Sequence, residues 1–140
     1  MFEASFKTFL ESDTALTALL SEYNSTPSIF TSIAPQDAET PYIIFDIERN
    51  SGTPLPVAAF DIYIHIFHDS ESSAVVRSIA NEIELYCDTQ EIKSDSKFSM
   101  LRFYMEDGRE VENPDITLKH YFVRLSARAG RKEFIERITT

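Results

Sequence analysis

At 140 residues the chain is long enough for one domain with a sizeable core and too short for two full ones. Hydrophobic residues make up 43%, and no apolar run approaches the ~20 needed to cross a bilayer, so the composition reads as a soluble globular chain with no membrane partner. The net charge of -10 is uneven: residues 1–118 hold 7 Lys/Arg against 21 Asp/Glu, a balance of -14, whereas residues 119–140 carry +4, which argues against a duplex-DNA reader and for association of an acidic body with a basic end.

Taken in order, the start Met1-Phe2-Glu3-Ala4-Ser5-Phe6 lacks the basic opening and apolar run of a secretory signal, an expectation of intracellular synthesis. Phe2, Phe6, Phe9, Leu10, Leu16, Leu19 and Leu20 recur mostly three or four apart and predict a helical stripe, with cap chemistry at Ser12-Asp13 implying one broken helix or two short ones. Asn24, Pro27, Pro35 and Pro41 bracket a short apolar piece, residues 28–33, read as an edge strand inside a long connection. Tyr42 to Glu48 alternates, with Ile43, Phe45 and Ile47 on the apolar side, and Asn50 to Pro56 breaks it. From Ala59 to His68 the alternation puts Phe60, Ile62, Ile64 and Ile66 on a core face and Asp61, Tyr63, His65 and Phe67 on a mixed one.

Ser70 to Ser73 offers caps for a helix with the stripe Val75, Val76, Ile79, Ile83, Tyr86 and Cys87. Asp88 to Lys97 reads as a return loop, followed by strands Phe98 to Met105 and Ile116 to Ala127, with the turn placed from Glu106-Asp107-Gly108-Arg109 to Asn113-Pro114-Asp115. The fold class expected is therefore α+β: an antiparallel four-stranded sheet (about Tyr42–Glu48, Ala59–His68, Phe98–Met105, Ile116–Ala127), an N-terminal helical segment and a central helix on one face. Residues 1–140 form one domain in this reading, with 129–140 a basic C-terminal arm.

No constellation with catalytic spacing emerges. His65 and His68 are three apart on a strand and point to opposite faces, so they do not clamp one metal, and the lone Cys87 lies on an apolar helix stripe as a small core thiol. Carboxylate pairs such as Glu82 with Glu84 and Glu110 with Glu112 have the spacing of a solvated surface, and three glycines in all exclude a glycine-rich phosphate loop. The expectation is no enzyme, no cofactor, no metal and no catalytic residue. Candidate contacts with another subunit or a partner are the basic residues Arg124, Arg128, Arg131 and Lys132 and the loop residues Ser51, Gly52 and Thr53.

The stretch Leu16-Thr17-Ala18-Leu19-Leu20, then Ser28-Ile29-Phe30, then Ala34-Pro35-Gln36 and Pro41-Tyr42-Ile43-Ile44-Phe45 resembles the N-terminal half of the tail terminator or tail completion family of tailed bacteriophages. The likeness runs to about residue 88 and loosely over the last two strands; Asp37-Ala38-Glu39-Thr40 is an acidic variation, and the basic C-terminal extension lies outside it. The resemblance implies a virion protein, assembled in the host cytoplasm. It would cap the head-proximal end of the tail as a ring of its own copies, typically six, ending tube polymerisation and meeting the tail tube protein and the head connector while genome DNA passes through the lumen. Two alternatives remain open at this stage: a head-completion or connector protein of the same junction, and a small cellular α+β ligand-binding module.

Overall fold

Phe6, Phe9 and Leu10 lie one helical turn apart, and all three are buried along α1 (Phe2–Glu11). The computed structural model describes residues 2–50, 57–94, 98–112, 114 and 117–131. At the end of α1 the Ser12 hydroxyl donates back to the Thr8 carbonyl. Asp13 then caps a second helix, α2 (Thr14–Leu19), by accepting from the Ala15 N–H at 3.2 Å. The segment is therefore two short helices, buried through Leu16 and Leu20, while Leu19 turns outward.

A two-stranded hairpin follows, β1 (Glu22–Tyr23) with β2 (Thr26–Pro27), turning on Asn24 and Ser25, both at positive φ as tight hairpin turns require. The main sheet has six strands in the order β3-β4-β5-β8-β7-β6: β3 (Ile29–Thr31), β4 (Tyr42–Asn50), β5 (Val57–Asp69), β6 (Ile92–Ser94), β7 (Phe98–Val111) and β8 (Leu118–Arg131). Between β5 and β6 comes α3 (Ala74–Thr89), opened by the Ser72 hydroxyl accepting from the Ala74 N–H. Its stripe Val76, Ile79, Ala80, Ile83 and Cys87 is buried, with Val75 and Tyr86 packed at the margin.

The alternation along β5 appears as expected. Phe60, Ile62, Ile64 and Ile66 are buried while Asp61, Tyr63, His65 and Phe67 stay half-exposed. Burial of such side chains is worth roughly 1.5–3 kcal/mol each before ordering entropy, which is why β5 and its neighbour β8 form the middle of the sheet. The helices cover this one face through Phe6, which meets Phe45 at 5.2 Å and Phe103 at 5.6 Å between ring centroids.

The sheet departs from the expected four antiparallel strands at both edges. β3 pairs parallel to β4 (Ile29 opposite Ile43), because Ser32–Pro41 carries the chain back along the sheet instead of turning it through a hairpin. β6 lies inside the segment read as a loop, with Ile92 packed on the core and paired to Leu101. The supposed turn at Glu106–Arg109 is strand, since β7 runs to Val111 and β8 starts at Leu118. Gly108 lies beside the bulge between Met105 and Asp107, where a Cβ would come within 2.7 Å of Met105 Cε. Gly108 is therefore a strand residue beside a bulge and not a reversal of the chain, and the atom nearest a Cβ there is the movable tip of Met105. β8 reaches Arg131, so residues 129–131 of the expected arm are strand, and 132–140 lie outside the described residues.

Candidate functional site

The helices occupy one face of the sheet, and the other is left to side chains that alternate away from the core. At one end of this open face the odd-even alternation of four strands, β3, β4, β5 and β8, lines up aromatic rings in sequence, with Tyr23 of β1 at its start. Tyr23 meets Phe30 (5.6 Å between centroids), Phe30 meets Tyr42 (6.0 Å), Tyr42 meets Phe67 (5.5 Å) and Phe67 meets His120 (4.4 Å). The row continues through His65 to Phe122 at 5.2 Å, and the Arg109 guanidinium sits 5.5 Å over the Phe122 ring.

Inside this row His65 Nδ1 and His120 Nε2 are 2.8 Å apart, so one ring must donate and the other accept. Burial lowers the pKa of both. Asp46 acts in the opposite direction on His65, whereas the neighbouring His65 adds to burial and brings His120 down to about 4. Because the folded pKa of His120 lies below its ordinary 6.5, the unfolded chain takes up the proton first. The contribution of the pair is complete above 6.5 and is lost as pH falls from there toward about 4. Denaturant midpoints measured across pH 7 to 5 should therefore fall for the native chain and fall less for His120→Gln; parallel curves would show that the pair does not govern the slope.

The other end of the open face is charged. Arg124, Ser126 and Arg128 point the same way along β8, as their spacing predicts once the strand extends to Arg131. Ser126 donates to Glu106 Oε1 at 2.8 Å and Arg109 engages Asp107 at 3.4 Å. Arg124 and Arg128 are exposed, and neither has a carboxylate within ion-pair distance among the described residues. Arg131 ends β8, while Lys132 and the loop residues Ser51, Gly52 and Thr53 lie outside the described residues.

The remaining candidates resolve into structure. Cys87 is buried, and that burial, with Asp13 nearby, pushes its thiol far up, away from thiolate chemistry. Glu82 turns toward Asp13, whose hydrogen bonding raises the Glu82 carboxyl, while Glu84 stands exposed. Glu110 pairs with Arg77 and Glu112 lies past the end of β7. His68 sits on the helix side of the sheet from His65, and among the described residues no three His, Cys, Asp or Glu side chains gather as a metal set. No helix among them is long and apolar enough to cross a membrane. The histidine pair itself was beyond sequence reasoning: the partners are 55 positions apart, and only the β5–β8 register brings them together.

A chain of one solved structure has this fold. It was solved within the virion of a native gene transfer agent particle and superposes with a TM-score of 0.63 at 18% identity, over 89% of this chain and 90% of that one. No known family and no curated protein matches the sequence. At that identity the match speaks for the fold, which here extends over nearly the whole of both chains.

Proposed function

We propose that this protein is a structural subunit of a phage-like virion, a tail terminator that closes the head-proximal end of the tail tube as a ring of its own copies, six on the family pattern. The observation that carries the proposal is the near end-to-end structural match to a chain solved inside a virion particle. It is supported by the Ala34-Pro35-Gln36 and Pro41-Tyr42 segments, which flank the connection into β4. The subunit works through surfaces and makes no bonds of its own on this reading. The open sheet face and the uneven charge suit head-to-tail contacts, which need complementary patches and close into a ring when the rotation allows. Its partners are then its own copies, the tail tube and the head connector, with the genome passing an acidic lumen that repels phosphate.

The test is mass in solution combined with negative-stain images, with and without purified tail tubes. Rings, free or seated on the tube end, are expected. A chain that stays monomeric in both conditions overturns the proposal, and rings that bind the head connector while ignoring tube ends assign the subunit to head completion instead.

A further inference from the structure

Acidic side chains gather beyond β3, and two arginines stand together between β7 and β8, with Glu106 and Asp107 next along β7. Beyond β3, the crossover Ser32–Pro41 presents Asp37 and Glu39, both exposed, and on the adjoining strands Glu48 and Asp61 stand directly opposite one another. Toward the far edge, Arg102 of β7 is the cross-strand partner of Arg128 of β8, with Arg124 further along the same face beyond Ser126. Like charges placed face to face across a ladder cost stability, and among the described residues Arg102 is answered by Glu91 at 3.7 Å while Arg128 has no carboxylate within ion-pair distance. Arg128 is thus left, among the described residues, as an exposed cation that a carboxylate of another copy could meet.

Each charged patch also carries an apolar group held in water. Ile33 is 78% exposed and is fixed there. Its own N–H donates to the Thr31 carbonyl at 2.8 Å, while the preceding Ser32, at positive φ, donates its N–H to the Phe45 carbonyl at 3.0 Å and its hydroxyl to Asp46 at 2.7 Å. A side chain of that size on so well-tied a turn loses little entropy when it docks. Next to the arginines, Tyr104 is 46% exposed on the same open face. The two patches belong to β3 and β7, four strand spacings apart and so about 19 Å across the sheet. Patches that far apart do not meet within a subunit; they can meet between copies, reciprocally about a two-fold or in a head-to-tail repeat, and the ring reading selects the second.

We infer that the crossover Ser32–Pro41 of one subunit docks on the β7–β8 corner of the next, setting Ile33 against Tyr104 and Asp37 and Glu39 against Arg102 and Arg128. This inference rests on the ring reading and specifies which surfaces close the ring. Phosphate is the competing occupant of the arginine corner, and its involvement is an outcome of the same experiment.

The experiment follows assembly of the full chain by mass and negative stain for the native protein, Arg102→Glu with Arg128→Glu, Asp37→Arg with Glu39→Arg, all four together, and Ile33→Asp, with circular dichroism to confirm folding. Each double reversal and Ile33→Asp should weaken assembly by more than about tenfold, because a like-charge contact across an interface costs several kcal/mol, and the fourfold swap should restore it. Rings that persist in both reversals, or a fourfold swap that fails to recover them, overturn the inference while leaving the ring itself standing. Arginine reversals that keep rings and instead lose salt-sensitive retention of duplex DNA overturn it in favour of phosphate. A native chain that never forms rings removes the ring reading and the inference with it.

Discussion

Replacing Phe6 by Ala should lower the unfolding free energy by about 3–5 kcal/mol, the cost of removing a fully buried aromatic side chain. The reason is its place in the packing. Phe6 is fully buried and touches three other rings: Phe9 on its own helix at 6.2 Å, Phe45 on β4 at 5.2 Å and Phe103 on β7 at 5.6 Å between centroids. Those strands flank the central pair β5 and β8 on either side, so one side chain ties α1 across the breadth of the sheet. Truncation removes its transfer free energy and leaves a cavity between rigid strands that have little freedom to collapse inward. A chemical denaturation midpoint shifted at unchanged slope would confirm the effect; a loss below about 1 kcal/mol would mean that α1 is not docked on the sheet as described.

Ser21→Ala should cost about 1–3 kcal/mol, the range for leaving a buried polar group without its partner. The Ser21 hydroxyl lies 2.8 Å from that of Ser28 and 3.0 Å from the Pro41 carbonyl, and it also reaches the Glu39 carbonyl. Ser28 is fully buried, so loss of Ser21 Oγ strands the Ser28 hydroxyl away from water. The Pro41 carbonyl keeps the Ser21 N–H at 3.0 Å and is spared. This polar knot joins the end of the first connection to the start of β4, alongside the Ser28 carbonyl that accepts from the Ile43 N–H at 2.9 Å. The double variant Ser21→Ala with Ser28→Ala should therefore lose less than the sum of the two single changes, by about 0.5–3 kcal/mol, when measured as a double-mutant cycle. Strict additivity would show that the two hydroxyls do not act together.

Residues with period-two or helical spacing declared their own environment. The Ile62, Ile64, Ile66 series and the Val76, Ile79, Ile83 series are buried where alternation and the 3.6-residue repeat put them, because a long apolar stripe has only one stable place to go. Turn chemistry was a poorer guide. Gly108 looked like a reversal and is a strand residue at a bulge, and the short, polar β6 escaped notice because three residues carry almost no periodic signal. Of the proposed contact residues, Arg124 and Arg128 share a face as their spacing requires, whereas Arg131 is known only as the end of β8 and Lys132, Ser51, Gly52 and Thr53 lie outside the described residues.

What the chain determines on its own is therefore the content of each layer: which helices form, which side of β4, β5 and β8 is apolar, and that charge is divided between an acidic body and a basic end. Neighbourhood belongs to the tertiary structure alone. Strand order and register bring His65 to His120, set Arg102 opposite Arg128, and carry Ile33 and Asp37 to the opposite edge of the sheet. Local spacing repeats every two or four residues and is readable along the chain. Pairing between strands many residues apart is decided by how the whole apolar surface is buried at once, and no short stretch contains it.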